Sequence, residues 1–172
     1  MSPDAPAGRF GDGGEPGSFL ELLADHERLF EQFLAHQDAL IDRDYGRALD
    51  QLRVLERELD EHMRGEEQLF AELFSRTGEV AGAPLQLFTG EHRHLRESLQ
   101  EFERATRDLL AAPPASARPI VELLDEEALF KTFFRHHDER ERNLLYPAFD
   151  RGTSAADRRA KLERFHRPPP KA

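Results

Sequence analysis

Apolar residues recur along the chain at alternating steps of three and four, the spacing that gathers side chains on one face of an α-helix. Four segments follow this pattern, and polar residues interrupt each apolar face. The first segment runs through Phe19, Leu23, His26, Phe30, Phe33, Gln37 and Leu40. The second runs through Leu49, Leu52, Leu55, Leu59, His62, Glu66, Leu69 and Leu73.

The third and fourth segments repeat the arrangement. The third runs through Phe88, His92, Leu95, Leu99, Phe102, Thr106 and Leu109. The fourth runs through Leu123, Glu127, Phe130, Phe134, His137, Glu141, Leu144 and Ala148. Four amphipathic helices with short connections predict an all-α fold, an antiparallel up-down-up-down four-helix bundle, which we expect over residues 18–151.

The segments on either side of the bundle differ from it in composition. Residues 1–17 are dense in Gly, Pro and Asp without periodicity, which predicts a disordered, flexible leader with Ser18 as the first helix cap. Residues 152–172 form a C-terminal tail, in which SAADRRAKLERFH can form a short helix. The leader lacks the apolar core of a secretory signal, and no later run reaches the ~20 apolar residues of a membrane span, so we expect a cytoplasmic location.

Charge and cysteine content narrow the function classes. The formal net charge is -10, and no concentrated basic run is present, so nucleic acid and anionic membrane surfaces are not expected as partners. The chain has no cysteine, which excludes disulfides, thiolate zinc sites and iron–sulfur clusters. A protein partner is not specified by any of these features.

The polar interruptions are predicted to share one level of the bundle. Because a helix rises ~1.5 Å per residue in either direction, histidines at one level of successive antiparallel helices have their connecting turn midway between them. The midpoints fall within three turn-forming segments, DRDYG at 42–46, SRTGEVAGAP at 75–84 and AAPPASARP at 111–119. The histidines expected to converge are His26, His62, His92 and His137.

Two glutamates join this level, because His62 with Glu66 and His137 with Glu141 each form a His-x-x-x-Glu pair on one helix face. A single core histidine is more often hydrogen-bonded than metal-bound, and such pairs also occur on helix surfaces. Burial of four imidazoles and two carboxylates together, however, would have a high free-energy cost without a cation. Iron, manganese or zinc suits these ligands, and two carboxylates able to bridge favour a pair of ions.

The remaining histidines and the tyrosines are not assigned to the site. His36 and His94 fall off their apolar faces, and His166 lies in the tail. His136 is rotated away from the fourth-helix glutamate and is the alternative to its neighbour as a ligand. A phenol can ligate ferric iron or donate an electron to it, but Tyr146 precedes a proline and is interpreted as a packing residue.

The motifs DHERLF, HMRGEEQLF, GEHRHL and HDERERNLLYP together resemble the hemerythrin family, specifically bacterial hemerythrin-like HHE cation-binding domains. The resemblance covers roughly residues 18–151. It implies two irons, joined by an oxo or hydroxo bridge, with glutamates that bridge them and histidines as terminal ligands. The implied metal ligands are His26, His62, Glu66, His92, His137 and Glu141.

The resemblance also frames the function. Oxygen-carrying hemerythrins have a second histidine one turn further along the third helix, where this chain has Arg96, and their fourth-helix carboxylate is an aspartate. The implied function is therefore a non-heme diiron protein that binds dioxygen or a related small ligand, in sensing, storage or iron and oxygen homeostasis. The alternative is a diiron oxidoreductase acting on hydrogen peroxide, in a catalase-like reaction, or on nitric oxide. A third interpretation is a structural site in which a single zinc ion holds the helices of the bundle together.

Overall fold

Ser18 opens the helical part of the chain, as its N-cap prediction requires. Its hydroxyl oxygen accepts a hydrogen bond from the backbone N–H of Leu20 at 3.1 Å and caps a 3₁₀ turn, Phe19–Leu22. The same hydroxyl donates to Asp150 at 2.5 Å, which ties the start of the helical region to its end. The structure, a computed structural model, describes residues 17–167. Nearly all of the predicted leader and the last five residues of the tail, 168–172, lie outside the described residues.

Residues 17–167 fold into a bundle of α-helices without a β-strand. Four helices are long, and two short ones follow them. A single π-helical turn, Glu141–Leu145, separates the last long helix from the short ones. The helices are α1 (Leu23–Ile41), α2 (Tyr45–Thr77), α3 (Leu85–Ala111), α4 (Arg118–Arg140), α5 (Tyr146–Gly152) and α6 (Ala155–Phe165).

Successive long helices run antiparallel, since contacts advance along one helix as they retreat along its neighbour. The turns lie within the predicted segments, at residues 42–44, 78–84 and 112–117. Helix α3 begins directly after Pro84, which has no side-chain capping hydrogen bond. Two contacts for each successive pair of helices show the antiparallel order: Arg28–Glu58 and His36–Ala48, Arg53–Glu103 and Asp60–Arg96, and Glu91–His137 and Phe102–Phe130.

The apolar faces form two hydrophobic clusters, one on each side of a buried polar level. The larger cluster includes Phe33, Leu55 and Leu99, and the smaller includes Phe70, Phe88 and Phe149. Burial of such side chains contributes about 1.5–3 kcal/mol each, before the entropy of ordering is subtracted. The helices are thus held on both sides of the polar level, which fixes the backbone positions of the residues in it.

The π turn changes the register of the fourth apolar face. The α-helical period predicted that Leu144 and Ala148 would be buried, and this prediction is wrong, because Leu144 is 38% exposed and Ala148 is only partly buried. Leu145 and Phe149 are fully buried instead, one residue further along the chain. The backbone N–H of Tyr146 bonds to the carbonyl of Glu141, five residues back, and this wider turn inserts the extra residue.

The tail segment forms helix α6, whose N-cap is Ser154. Lys161 and Arg164 of this helix pair with Glu72 of α2, and Phe165 packs over Gly65. Within residues 17–167, no helix combines the length and the apolar character that crossing a bilayer requires.

Candidate metal centre

The polar level between the two hydrophobic clusters contains one cluster of histidines and glutamates, here called the six-residue cluster. Every member is at most 6% exposed. Each long helix contributes one histidine, α2 adds one glutamate, and the first residue of the π turn is the other glutamate. The members of the six-residue cluster are His26, His62, Glu66, His92, His137 and Glu141.

The histidines form two pairs within this cluster. Nε2 of His26 lies 2.7 Å from Nε2 of His62, so one of these nitrogens must donate a hydrogen bond to the other. The rings of His92 and His137 lie against each other with centroids 5.0 Å apart. The pair from α1 and α2 is the first histidine pair, and the pair from α3 and α4 is the second.

Each glutamate has one oxygen near each histidine pair. Oε1 of Glu66 lies 3.1 Å from Nε2 of His62, and its Oε2 lies 3.4 Å from Nε2 of His92. Oε2 of Glu141 lies 3.4 Å from Nε2 of His26, and its Oε1 lies 3.4 Å from Nε2 of His137. Both carboxylates therefore span the gap between the two histidine pairs.

Unpaired polar atoms mark the side of the second histidine pair. Oε2 of Glu66, Oε1 of Glu141 and Nε2 of His92 are buried and have no hydrogen-bond partner among residues 17–167. An unpaired buried polar group costs about 1–3 kcal/mol, and more when it is charged. Four ligand atoms, one each from His26, Glu66, His137 and Glu141, lie within 4.8 Å of one another. A set of imidazole nitrogens and carboxylate oxygens at this spacing fits a cation such as iron, manganese or zinc.

Protonation differs between the two carboxylates. Burial raises the pKa of Glu141, and repulsion from the Glu66 carboxylate raises it further. Burial also acts to raise the pKa of Glu66, but the charge of His62 and hydrogen bonds from neighbouring histidines outweigh it and lower that pKa well below its usual range. Without a cation, protons thus take part of the role of neutralising the pair.

The histidines also differ. Burial acts to lower the pKa of His26, but hydrogen bonds to Asp138 and Glu66 outweigh it, so the pKa is raised well above the ordinary value. For His137, burial dominates and lowers the pKa to about 4. His26 therefore holds a proton readily, whereas His137 stays neutral at ordinary pH, the form in which an imidazole ligates a metal.

Tyr146 belongs to the site, which corrects its interpretation as packing alone. Its side chain is fully buried, and its hydroxyl donates to Oε1 of Glu66 at 2.5 Å and also lies 3.2 Å from Oε2 of Glu141. Burial raises the pKa of this phenol, and the two carboxylates raise it further. Tyr146 contacts the carboxylate oxygens that face the first histidine pair, opposite the unpaired ones.

His36 is also misplaced by the sequence pattern, because it is fully buried. Its Nδ1 donates to the backbone carbonyl of Ala48 at 2.8 Å, and its Nε2 lies 2.9 Å from Oε1 of Glu127. Gln37 donates to the other oxygen of the same carboxylate at 2.8 Å. This group lies ten residues along α1 from His26, or ~15 Å, and so forms a separate, internally satisfied polar layer.

The other unassigned histidines lie at the surface. His94, His136 and His166 are exposed. The exposure of His136 leaves His137 as the buried histidine of this part of α4. The ligand role of each six-residue cluster member stays a prediction.

Comparison with known proteins gives one result. A search of curated proteins and a search of solved structures each returned no significant match. The family model of the hemerythrin HHE cation-binding domain matches residues 20–149, a range that contains α1 to α4 and the whole six-residue cluster. The resemblance seen in the motifs is thereby confirmed, and the chain belongs to the hemerythrin HHE cation-binding domain family.

Proposed function

We propose that this protein holds two iron ions in the six-residue cluster and binds dioxygen or a related small ligand there. In this proposal His26 and His62 serve one iron, His92 and His137 serve the other, and the two glutamates bridge them. The scaffold is an up-down-up-down bundle of the four long helices.

The observation that carries the proposal is the orientation of the two carboxylates. Glu66 directs one oxygen toward each histidine pair, and Glu141 does the same from the opposite side of the bundle. A single ion would need ligands gathered around one point. Two carboxylates that each span two separate pairs of imidazoles suit two ions.

The surroundings of the cluster favour a small ligand. Phe134 lies beside His26 and Phe88 beside His137, with ring centroids 6.0 and 6.1 Å apart. These rings make the immediate surroundings of the cluster apolar, which suits a small uncharged ligand. Arg96 turns away to Asp60 and Glu67, so the third helix supplies no second imidazole at that turn. Two irons with these ligands would supply coordination positions that can bind dioxygen, peroxide or nitric oxide.

A second candidate is a diiron oxidoreductase acting on hydrogen peroxide or nitric oxide. Tyr146 favours it, since a buried phenol 2.5 Å from a carboxylate of the site can hold or deliver a proton beside a bound substrate. A protein that only binds its ligand has less need of such a group.

The test begins with anaerobic reconstitution with Fe²⁺, followed by metal analysis and optical spectra. The proposal expects close to two irons per chain and a reversible absorption change when air is admitted and removed. Gas evolution on adding peroxide, or consumption of nitric oxide, would favour the oxidoreductase. One tightly bound zinc with no capacity for iron would contradict both.

Variants test the bridging role. Glu66→Ala and Glu141→Ala are each expected to lose at least one iron, because each removes two ligand oxygens. Glu61→Ala is the matched control, since Glu61 lies on the same helix but is exposed. Full iron content in both site variants would contradict the bridging assignment.

A further inference from the structure

The ring nitrogens that face away from the six-residue cluster meet a second layer of carboxylates. Nδ1 of His26 lies 2.8 Å from Oδ1 of Asp138. Nδ1 of His92 lies 3.0 Å from Oε1 of Glu67. Three of the four histidines have such a hydrogen bond.

Nδ1 of His137 lies 2.9 Å from Oε2 of Glu91. In every case the carboxylate comes from the helix before that of the histidine, counting around the bundle. A carboxylate of α2 bonds to the histidine of α3, a carboxylate of α3 to the histidine of α4, and a carboxylate of α4 to the histidine of α1. Each of these carboxylates is also adjacent in sequence to a member of the six-residue cluster. Because adjacent residues of a helix point ~100° apart, the carboxylate faces the next helix while its neighbour faces the cluster.

The corresponding hydrogen bond between a carboxylate of α1 and the histidine of α2 is not formed. Asp25 of α1 is the corresponding neighbour of His26, but its Oδ2 lies 3.9 Å from Nδ1 of His62, beyond hydrogen-bond distance. Asp25 instead contacts Arg28 at 3.4 Å and His166 at 3.3 Å. Asp25 therefore has the same place beside a cluster histidine as the other carboxylates but lacks their hydrogen bond, which makes it an internal control.

Arginines on the outer side hold the three hydrogen-bonded carboxylates in place. Arg140 pairs with Glu91, Arg96 lies 3.1 Å from Glu67, and Arg142 lies 3.5 Å from Asp138. A carboxylate that accepts a hydrogen bond from an arginine acts as the acceptor for the imidazole as well, so the ring N–H is the donor. The proton of a neutral imidazole must then reside on Nδ1. Its Nε2 lone pair is left facing the six-residue cluster.

We propose that Glu67, Glu91 and Asp138 are positioning residues of the metal centre, each of which fixes the tautomer and the orientation of one histidine, whereas Asp25 has no such role. This inference rests on the proposed function for its consequence, which is tighter metal binding. Partners of this kind typically change metal affinity by about 10- to 100-fold.

The test uses full-length protein with ¹⁵N-labelled histidine, metal-free and loaded with Zn²⁺. Two-dimensional NMR of the ring nitrogens reports which nitrogen carries the proton, and competition with a chelator gives the Zn²⁺ affinity. The wild-type protein is expected to show protonated Nδ1 at His26, His92 and His137. Glu91→Ala should alter the signals of His137 selectively and lower Zn²⁺ affinity by about 10- to 100-fold.

Two further variants separate the loss of the hydrogen bond from a loss of packing. Glu91→Gln keeps an acceptor oxygen and should restore the tautomer of His137, which a loss due only to poor packing would not show. Asp25→Ala should leave the ring signals and the affinity unchanged. Protonated Nε2 at His92 or His137 of the wild-type protein, an unchanged His137 in Glu91→Ala, or an equal loss in Asp25→Ala would overturn the proposal. Expected tautomers in a protein that binds neither Zn²⁺ nor Fe²⁺ would support the positioning of the rings and overturn the metal centre.

Discussion

The hydroxyl of Tyr146 lies 2.5 Å from Oε1 of Glu66, a residue eighty positions earlier in the chain. This contact joins the first residue of α5, directly after the π turn, to the middle of α2 beside the six-residue cluster. It satisfies one oxygen of a carboxylate whose other oxygen is unpaired. The phenol therefore stabilises the metal-free site on the side of the first histidine pair only.

Removal of this hydroxyl should destabilise the metal-free protein. Tyr146→Phe is expected to lower the free energy of unfolding by about 1–3 kcal/mol, because it deprives buried carboxylate oxygens of a donor. Denaturant unfolding followed by circular dichroism measures the change. Tyr45→Phe is the matched control, since the Tyr45 hydroxyl is buried and has no hydrogen-bond partner among residues 17–167. Equal losses in the two variants would show that the contact with Glu66 contributes nothing.

The register shift at the π turn predicts different roles for two adjacent leucines. Leu145 is fully buried, so Leu145→Ala should cost about 2–5 kcal/mol of stability, through lost burial and a residual cavity. Leu144 is 38% exposed, and Leu144→Ala should cost about 0.5 kcal/mol or less. Thermal or denaturant unfolding of both variants decides the register. The reverse order of losses would mean that a regular α-helix continues through Glu141.

Gly65 provides a test of how α6 docks. A Cβ at this position would lie 2.7 Å from Cε2 of Phe165, so Gly65→Ala should displace α6 and lower the hydrogen-exchange protection of its amides. At Gly90, in the interior of α3, a Cβ would meet no atom of residues 17–167 within 4 Å apart from its own helix backbone and chain neighbours. Gly90→Ala should therefore gain the ordinary helix benefit of about 0.5–1 kcal/mol.

The double variant Gly65→Ala with Phe165→Ala removes the clash and should regain the helix benefit at position 65. Unchanged α6 protection in Gly65→Ala, with a gain in stability like that at Gly90, would contradict the docked position of Phe165.

Docking of α6 should also weaken in acid. Hydrogen bonds from Lys161 and Arg164 lower the pKa of Glu72 from 4.5 to about 2. Because the folded pKa is depressed, the stabilisation is complete above pH 4.5 and is lost as the pH falls toward about 2. Hydrogen-exchange protection of α6 in the wild-type protein and in Glu72→Gln should differ above pH 4.5 and converge in acid.

The control for the acid effect is Glu163→Gln, which changes an exposed carboxylate on α6 itself. It should leave the protection of this helix close to that of the wild-type protein at every pH. A pH dependence that is the same in Glu72→Gln and in the wild type would exclude Glu72 as its source.

The convergence of four histidines could be predicted from the sequence because it depends only on helix rise and turn position. His26, His62 and His92 lie on regular α-helices, and equal rise in opposite directions brings them to one level. The burial of Glu66 and Glu141 followed from the same periodicity, since both lie on apolar faces. These predictions needed no knowledge of how side chains pack.

The site residues that were missed depend on features outside that periodicity. Tyr146 reaches the site only because the π turn inserts one residue after Glu141, and nothing in ERNLL signals such a turn. Glu67 and Glu91 lie one step off the apolar faces, where a glutamate usually faces solvent. His36 lies off the face of α1 but is buried because α1 packs against both α2 and α4. Gln37 and Glu127, polar residues on apolar faces with no assigned role, were the sequence signals of this second polar layer.

We propose that the six-residue cluster holds two irons bridged by Glu66 and Glu141. Crystallography of the iron-reconstituted protein, with anomalous data collected on both sides of the iron absorption edge, tests it most directly. We expect two anomalous peaks within the cluster, one beside the first histidine pair and one beside the second, with both glutamates contacting both ions. A single peak, or iron bound elsewhere while these side chains stay hydrogen-bonded to one another, would contradict it.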